Sequence, residues 1–334
     1  MRPLLPIATA ALSFVAAWAV AALWVDGPVG PVRGPWAAFV FAAGAAAVLA
    51  MLRPFGRALA VLALLVAAAL AWWLSIAPSN ERDWMPDVAR PPRAVFDGDR
   101  VTLQNVRHFG YRSETDFTER WEERTYDLSK VRGVDLFLSY WGSPWIAHTI
   151  ASWEFEDGRH LAISIETRKE VGESYSAVLG FFRQYELYYV AADERDVVGL
   201  RARHRGEDVY LYPLTTSPEA ARAVLEDYLR EINELAVRPQ WYNALTHNCT
   251  TNIRYHAQHV ASGRPWNWRI LVNGKLDELG YQRGQVYTGI PFEELRRRSR
   301  VTDAAAAAAE ADDFSARIRR DLPAPRPAPA RPER

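Results

Sequence analysis

One cysteine stands in 334 residues. That count excludes an intramolecular disulfide and leaves Cys249 as a free thiol. Outside the cytoplasm such a thiol is open to oxidation, so its presence there asks for a chemical reason. Charge is also scarce, but only at one end. Between Pro3 and Ile76 the charged residues are Asp26, Arg33, Arg53 and Arg57, whereas beyond Pro78 the chain is rich in Arg, Glu and Asp. Net charge is zero, no basic stripe stands out, and there is no Gly-rich phosphate loop. Nucleic-acid binding therefore has no support. Internal repeats are lacking too. The chain reads as two solvents in succession, lipid and then water.

Three apolar stretches, residues 4–25, 36–52 and 58–76, have the composition of membrane spans, for which about 20 residues are needed and about 17 suffice. Trp24, Trp36, Trp72 and Trp73 sit near their ends, where amphipathic rings favour the headgroup layer. A cleavable signal peptide is the competing reading of the first stretch. It fails because two more apolar stretches follow and Val25-Asp26-Gly27-Pro28 makes a poor cleavage site. The short link Arg53-Pro54-Phe55-Gly56-Arg57 carries two arginines, so the positive-inside rule puts it, and the N-terminus, in the cytoplasm. Residues 1–78 are thus expected to form a three-helix, multi-pass anchor in a bacterial inner membrane. Residues 79–300 are expected to form a periplasmic domain, and 301–334 a helix with a disordered Pro/Ala/Arg tail.

After a Pro-rich linker (Pro78, Pro86, Pro91, Pro92) the pattern turns to strands. Ala94–Asn105 carries the turn signal Asp97-Gly98-Asp99, and Val134–Tyr140 reads as a further strand. Ala147–Phe155 and His160–Thr167 flank Asp157-Gly158, a strong hairpin signal. Tyr185–Ala191 and Asp208–Leu214 complete the strands. Ser217-Pro218-Glu219 opens a helix to Ala236 with N-cap chemistry. A second helix is predicted from about Thr250 to Val260. The fold class is therefore α+β, an antiparallel sheet packed on helices.

Asn248 or Thr246 can cap that second helix, placing Cys249 in its first turn. There the helix dipole and unpaired N–H groups favour a thiolate and could bind an oxyanion. The bland alternative is a small buried apolar residue. A nucleophilic cysteine needs a base. Of seven histidines, His247 is adjacent and points away, while His256 and His259 lie two turns or more along the helix. His148, opening the hairpin, is the better candidate, against a structural reading of the same residue. If the turn centres on Asp157-Gly158, Glu166 comes roughly opposite His148 and could orient the imidazole; otherwise it is a solvated charge beside Arg168. A metal site from Cys249, His247, His256 and His259 matches no common zinc spacing. No cofactor and no metal are expected.

The run Trp241-Tyr242-Asn243 through Asn248-Cys249-Thr250-Thr251, with Ile163-Ser164-Ile165-Glu166-Thr167-Arg168 and Asp193-Glu194-Arg195-Asp196, resembles the Lnb-type N-terminal periplasmic domain family over about residues 79–290. The resemblance implies a permuted papain-like fold of the NlpC and lecithin:retinol acyltransferase type, in which the histidine strand precedes the cysteine helix. It implies Cys249 as nucleophile, His148 as base and Glu166 as third member. It also implies lipoprotein N-acylation, which moves a fatty acyl chain from phospholipid to an amino-terminal cysteine. Three N-terminal spans and the lack of a later membrane domain depart from the family pattern, so thiol acyl chemistry carries over better than the named substrate. The expected partners are the bilayer, a phospholipid donor and a lipoprotein or cell-wall acceptor. Two alternatives stand beside this reading: an NlpC-like cell-wall amidase or peptidase, and a non-catalytic membrane-anchored binding module.

Overall fold

The computed structural model describes residues 4–27, 30–260 and 266–323. Most of the tail expected to be disordered, from 324 onward, lies outside them. The chain divides into two units: Met1–Ser79 with Ser174–Glu186 and Trp241–Ala244, and Asn80–Glu173 with Leu187–Gln240 and Leu245–Arg334.

The first unit holds the helices α1 (Leu4–Val25), α2 (Gly30–Met51) and α3 (Phe55–Ser75). Among the described residues two stretches, Pro6–Val25 and Phe55–Ser75, are long and apolar enough to cross a membrane. Little of either is buried, unlike a helix in a soluble core. Among the described residues the third expected span is represented by a shorter apolar stretch, Pro35–Met51 of α2. The same unit satisfies the acid that follows α1. The Trp73 indole donates to the Asp26 carboxylate at 2.6 Å, and the Arg183 backbone N–H donates to it at 3.2 Å. The Arg183 guanidinium lies 4.4 Å from the centre of the Trp73 ring and donates to the carbonyls of Leu74 and Ile76.

The second unit is built on a mixed sheet. In chain order the strands are β1 (Arg93–Asp97), β2 (Arg100–Arg107), β3 (Gly110–Tyr111), β4 (Phe117–Thr118) and β5 (Trp121–Asp127). They continue with β6 (Val131–Tyr140), β7 (Ala147–Phe155), β8 (His160–Arg168), β9 (Glu186–Ala192) and β10 (Asp208–Pro213). The main sheet runs β1-β2-β9-β8-β7-β6-β10, with β5 also on β2, while β3 and β4 pair apart from it. The pairs β1–β2, β2–β5, β6–β7, β7–β8 and β6–β10 are antiparallel, and β2 meets β9 in parallel. The Asp157-Gly158 turn closes β7 on β8, with Gly158 at φ +81°, a conformation in which a side chain would clash.

Helices cover both faces. On one lies α5 (Pro218–Val237), opened by Ser217, whose hydroxyl accepts from the Ala220 N–H. The buried Trp153 of β7 donates to the Ala221 carbonyl of α5 at 2.8 Å and meets the Tyr228 ring edge-on at 5.0 Å. On the other lie α4 (Glu194–Gly199), a π-helical turn (Leu200–His204), and, after α7 (Leu276–Gln282) and α8 (Phe292–Ser299), the helices α9 (Thr302–Ala308) and α10 (Phe314–Arg319). Val301, Ala305, Phe314, Ile318 and Leu322 belong to the same buried cluster as Phe137, Ile150 and Leu211. The chain from 301 to 322 is therefore core, not an appended tail: the buried Ala305 and Ala308, three residues apart, turn one small-residue face of α9 inward.

The acidic motif at 193–196 has a structural job. Asp196 accepts from the Arg107 guanidinium at 2.7 and 2.9 Å and from the Phe109 N–H at 2.7 Å. Glu194, fully buried, accepts from Ser152 and from Arg319, and Arg319 also reaches Asp135 at 2.6 Å. Burial pushes the Glu194 carboxyl up, but Arg319 and the charge of His160 outweigh it and hold the group far below its ordinary range.

Candidate active site

The chain before Cys249 closes a helix start of the expected kind. Asn248 caps α6 (Cys249–Val260), its side-chain oxygen accepting from the N–H groups of Thr250 and Thr251, both at 2.9 Å. Cys249 is thereby in the first turn, where a thiolate is favoured. The cap has a second consequence. It engages the amides of Thr250 and Thr251, two of the N–H groups that an uncapped helix start would offer to an oxyanion.

His148 lies on the buried start of β7. Ile150 pairs with Ser164 across the hairpin, and the same register puts His148 opposite Glu166. The imidazole Nε2 is 2.7 Å from the Ser164 hydroxyl and 3.2 Å from the Glu166 carboxylate. Ser164 in turn donates to Glu166 at 2.6 Å. Glu166 thus orients the ring directly and through a hydroxyl relay.

Cys249 and His148 act on one another. Burial pushes the thiol up, yet the His148 ring, followed by Thr149, pulls it down to about 7. Burial and the Arg201 charge push the imidazole down, but Glu166 and the sulfur raise it to about 9. For Glu166 burial is again opposed, here by His148 and Arg201, and the carboxyl is held well below its ordinary value. Between those two values the pair is a thiolate beside an imidazolium, a nucleophile and an acid ready together.

Two neighbours were not legible in the sequence. Arg201, from the π-helical turn, donates to Glu166 at 3.0 Å and to Glu207 at 3.0 and 3.2 Å, and all but the half-buried Glu166 are buried. It lies in an Arg-rich run (201–205) with no local signal to separate it from its neighbours. Asn273 ties the strand to the helix. Its side-chain oxygen accepts from the Ala147 N–H at 2.8 Å, and its amide donates to the Ala147 carbonyl at 2.5 Å and to the Thr250 hydroxyl at 2.8 Å. The Asn-Gly pair at 273–274 was the one available clue, and it reads only as a turn. Asn273→Ala will leave both backbone groups of Ala147 without these bonds. The expected result is a loss of about 1–3 kcal/mol of stability, read by thermal unfolding, with slower alkylation of Cys249.

The remaining histidines stand apart from the sulfur's chemistry. His247 is exposed and meets the Thr246 hydroxyl. His256 is buried between the Tyr189 hydroxyl (2.8 Å) and Asp227 (2.7 Å), and His259 also contacts Asp227 at 3.0 Å. These two rings converge on the Asp227 carboxylate. Among the described residues the ligand-competent cluster is Asp135, His160 and Glu194, where the Arg319 guanidinium already supplies the positive charge.

No curated protein and no solved structure matches the chain. Residues 117–274 match the model of the Lnb N-terminal periplasmic domain family, the family its motifs resemble, and the matched stretch includes His148, Glu166, Cys249 and Asn273.

Proposed function

We propose that the chain is a membrane-anchored, cysteine-dependent acyltransferase at the outer face of the inner membrane. The family match fits a membrane-associated periplasmic protein, and the two apolar helices near the N-terminus agree with it. In this reading residues 1–78 form a three-pass anchor with a cytoplasmic N-terminus. The domain after residue 79 is a permuted papain-like fold with its histidine strand ahead of its cysteine helix.

The Cys249 thiolate attacks the ester carbonyl of a phospholipid. The tetrahedral intermediate collapses to a thioester as the His148 imidazolium gives its proton to the leaving alkoxide, releasing a lysophospholipid. An amine, such as that of a lipoprotein, then attacks the thioester carbonyl. His148, now neutral, takes the amine proton, and the amide leaves with the thiolate and imidazolium restored. The observation that carries the reading is Cys249 in the first turn of the helix that Asn248 caps, with the His148 ring of the neighbouring strand held by Ser164 and Glu166 and acting on the thiol.

Full-length protein taken from membranes will carry an added fatty acyl mass. The adduct will be labile to hydroxylamine and absent from Cys249→Ser. An intact-mass spectrum with no adduct, together with Cys249-dependent release of cell-wall peptides, would replace this reading with an amidase.

A further inference from the structure

We propose that the exposed aromatic rim beside Cys249 and His148 docks the second unit on the surface of an anionic phospholipid bilayer. Trp141, Trp145, Ile146, Trp266, Trp268 and Leu271 are each between 41% and 59% exposed. Large apolar side chains gathered in this way are uncommon on a soluble surface and mark a binding face.

The six residues come from two segments, and each leads into the site. Residues 141–146 run directly into the strand that carries His148, and residues 266–271 precede Asn273. The segments are bolted together. The Gly274 N–H donates to the Trp145 carbonyl at 3.0 Å. A Cβ on Gly274 would lie 2.5 Å from the Pro144 carbonyl oxygen and 2.5 Å from the Trp145 carbonyl carbon, so no other residue permits the approach. The rim therefore moves with the catalytic strand.

Its chemistry selects the occupant. Tryptophan dominates, and indoles favour the headgroup layer over both water and hydrocarbon. Each of two indoles has a cation against it: the Lys275 ammonium is 5.3 Å from the Trp145 ring, and the Arg269 guanidinium is 5.2 Å from the Trp268 ring. Both cations also face an acid, Arg269 pairing with Glu278 at 3.0 Å and Lys275 acting on Asp277, and together they bring positive charge to the indoles, where a phosphate headgroup is attracted. Continuity of the chain points the same way. Only residues 76–79 separate the end of α3 from the start of the second unit, a link of at most about 14 Å when extended. A second copy or a protein partner would find the same apolar area but has no such tether. The inference deepens the acyltransferase reading by making the bilayer the source of substrate.

The single cysteine makes the test direct. In full-length Cys249→Ser, an environment-sensitive fluorophore is placed at Trp145→Cys, Ile146→Cys or Trp268→Cys, and the protein is reconstituted in nanodiscs of phosphatidylcholine and phosphatidylglycerol. Asp157→Cys is the reference, since the hairpin turn lies about 30 Å along β7 from the rim. Labels at 145, 146 and 268 are expected to shift to the blue. Quenching by doxyl-labelled lipid should be several-fold stronger than at 157, and weaker when phosphatidylglycerol is omitted. Equal quenching at all four positions would overturn the proposal. So would a blue shift that escapes the lipid quencher, which would assign the rim to a protein. The measurement needs no activity, so it can fail while the acyl adduct is found, and the reverse.

Discussion

His148→Ala will cut the rate of Cys249 alkylation at pH 7 by about 50-fold. With the imidazole present the thiol titrates near 7, so at that pH about half of it is thiolate. Without the ring, burial is the larger remaining influence and the thiol returns to about 9 or above, where about one in a hundred molecules is ionised at pH 7. A rate-against-pH curve with iodoacetamide will show its midpoint moving upward by about two pH units. The sign differs for the two partners. The thiolate is gained as pH rises through about 7, and the imidazolium is lost as pH rises through about 9. A step that needs both, such as acylation by an ester, will therefore follow a bell between those limits. Should His148→Ala alkylate with an unchanged profile, the catalytic assignment fails, whatever the fold.

The largest effect on stability is expected at Arg319. Its guanidinium bridges Asp135 and Glu194, both with no exposed surface. Arg319→Ala leaves two buried carboxylates facing each other without a cation, and such losses cost about 3–5 kcal/mol. The result is read as a fall in the thermal midpoint of the full-length protein. Part of the loss will return when Asp135→Asn and Glu194→Gln are added, because the uncompensated charges are then gone. The pH dependence follows from the depressed Glu194 carboxyl. Its stabilisation is present above the ordinary carboxylate value and disappears as pH falls through the lowered one. In Arg319→Ala that relation reverses, and acid will relieve the variant before it harms the parent.

Local chemistry was legible in the sequence, and distant chemistry was not. Asp157-Gly158 announces the hairpin because few residues accept its backbone, and from that turn the opposition of His148 and Glu166 follows by counting. Asn248 announces a helix start because only a short polar side chain reaches the amides two and three residues on. Arg201 and Asn273 carry no such mark. What they do depends on partners 35 and 126 residues away, and a lone Arg or Asn is compatible with many surroundings. A helix after residue 300 was legible, but its burial in the core was not. A run of alanines has no periodic apolar face to read, and the buried side is marked only by its partners, Ala305 and Ala308 packing in the cluster that holds Phe137 and Leu211.

The placement of Asn273 and Arg319 orders the assembly of the site and its scaffold along the chain. A nascent chain displays the imidazole first, the thiol about a hundred residues later, and the amide and guanidinium that hold the scaffold last of all. A chain that stops before residue 273 therefore holds both the imidazole and the thiol but lacks the side chain that ties the strand of one to the helix of the other.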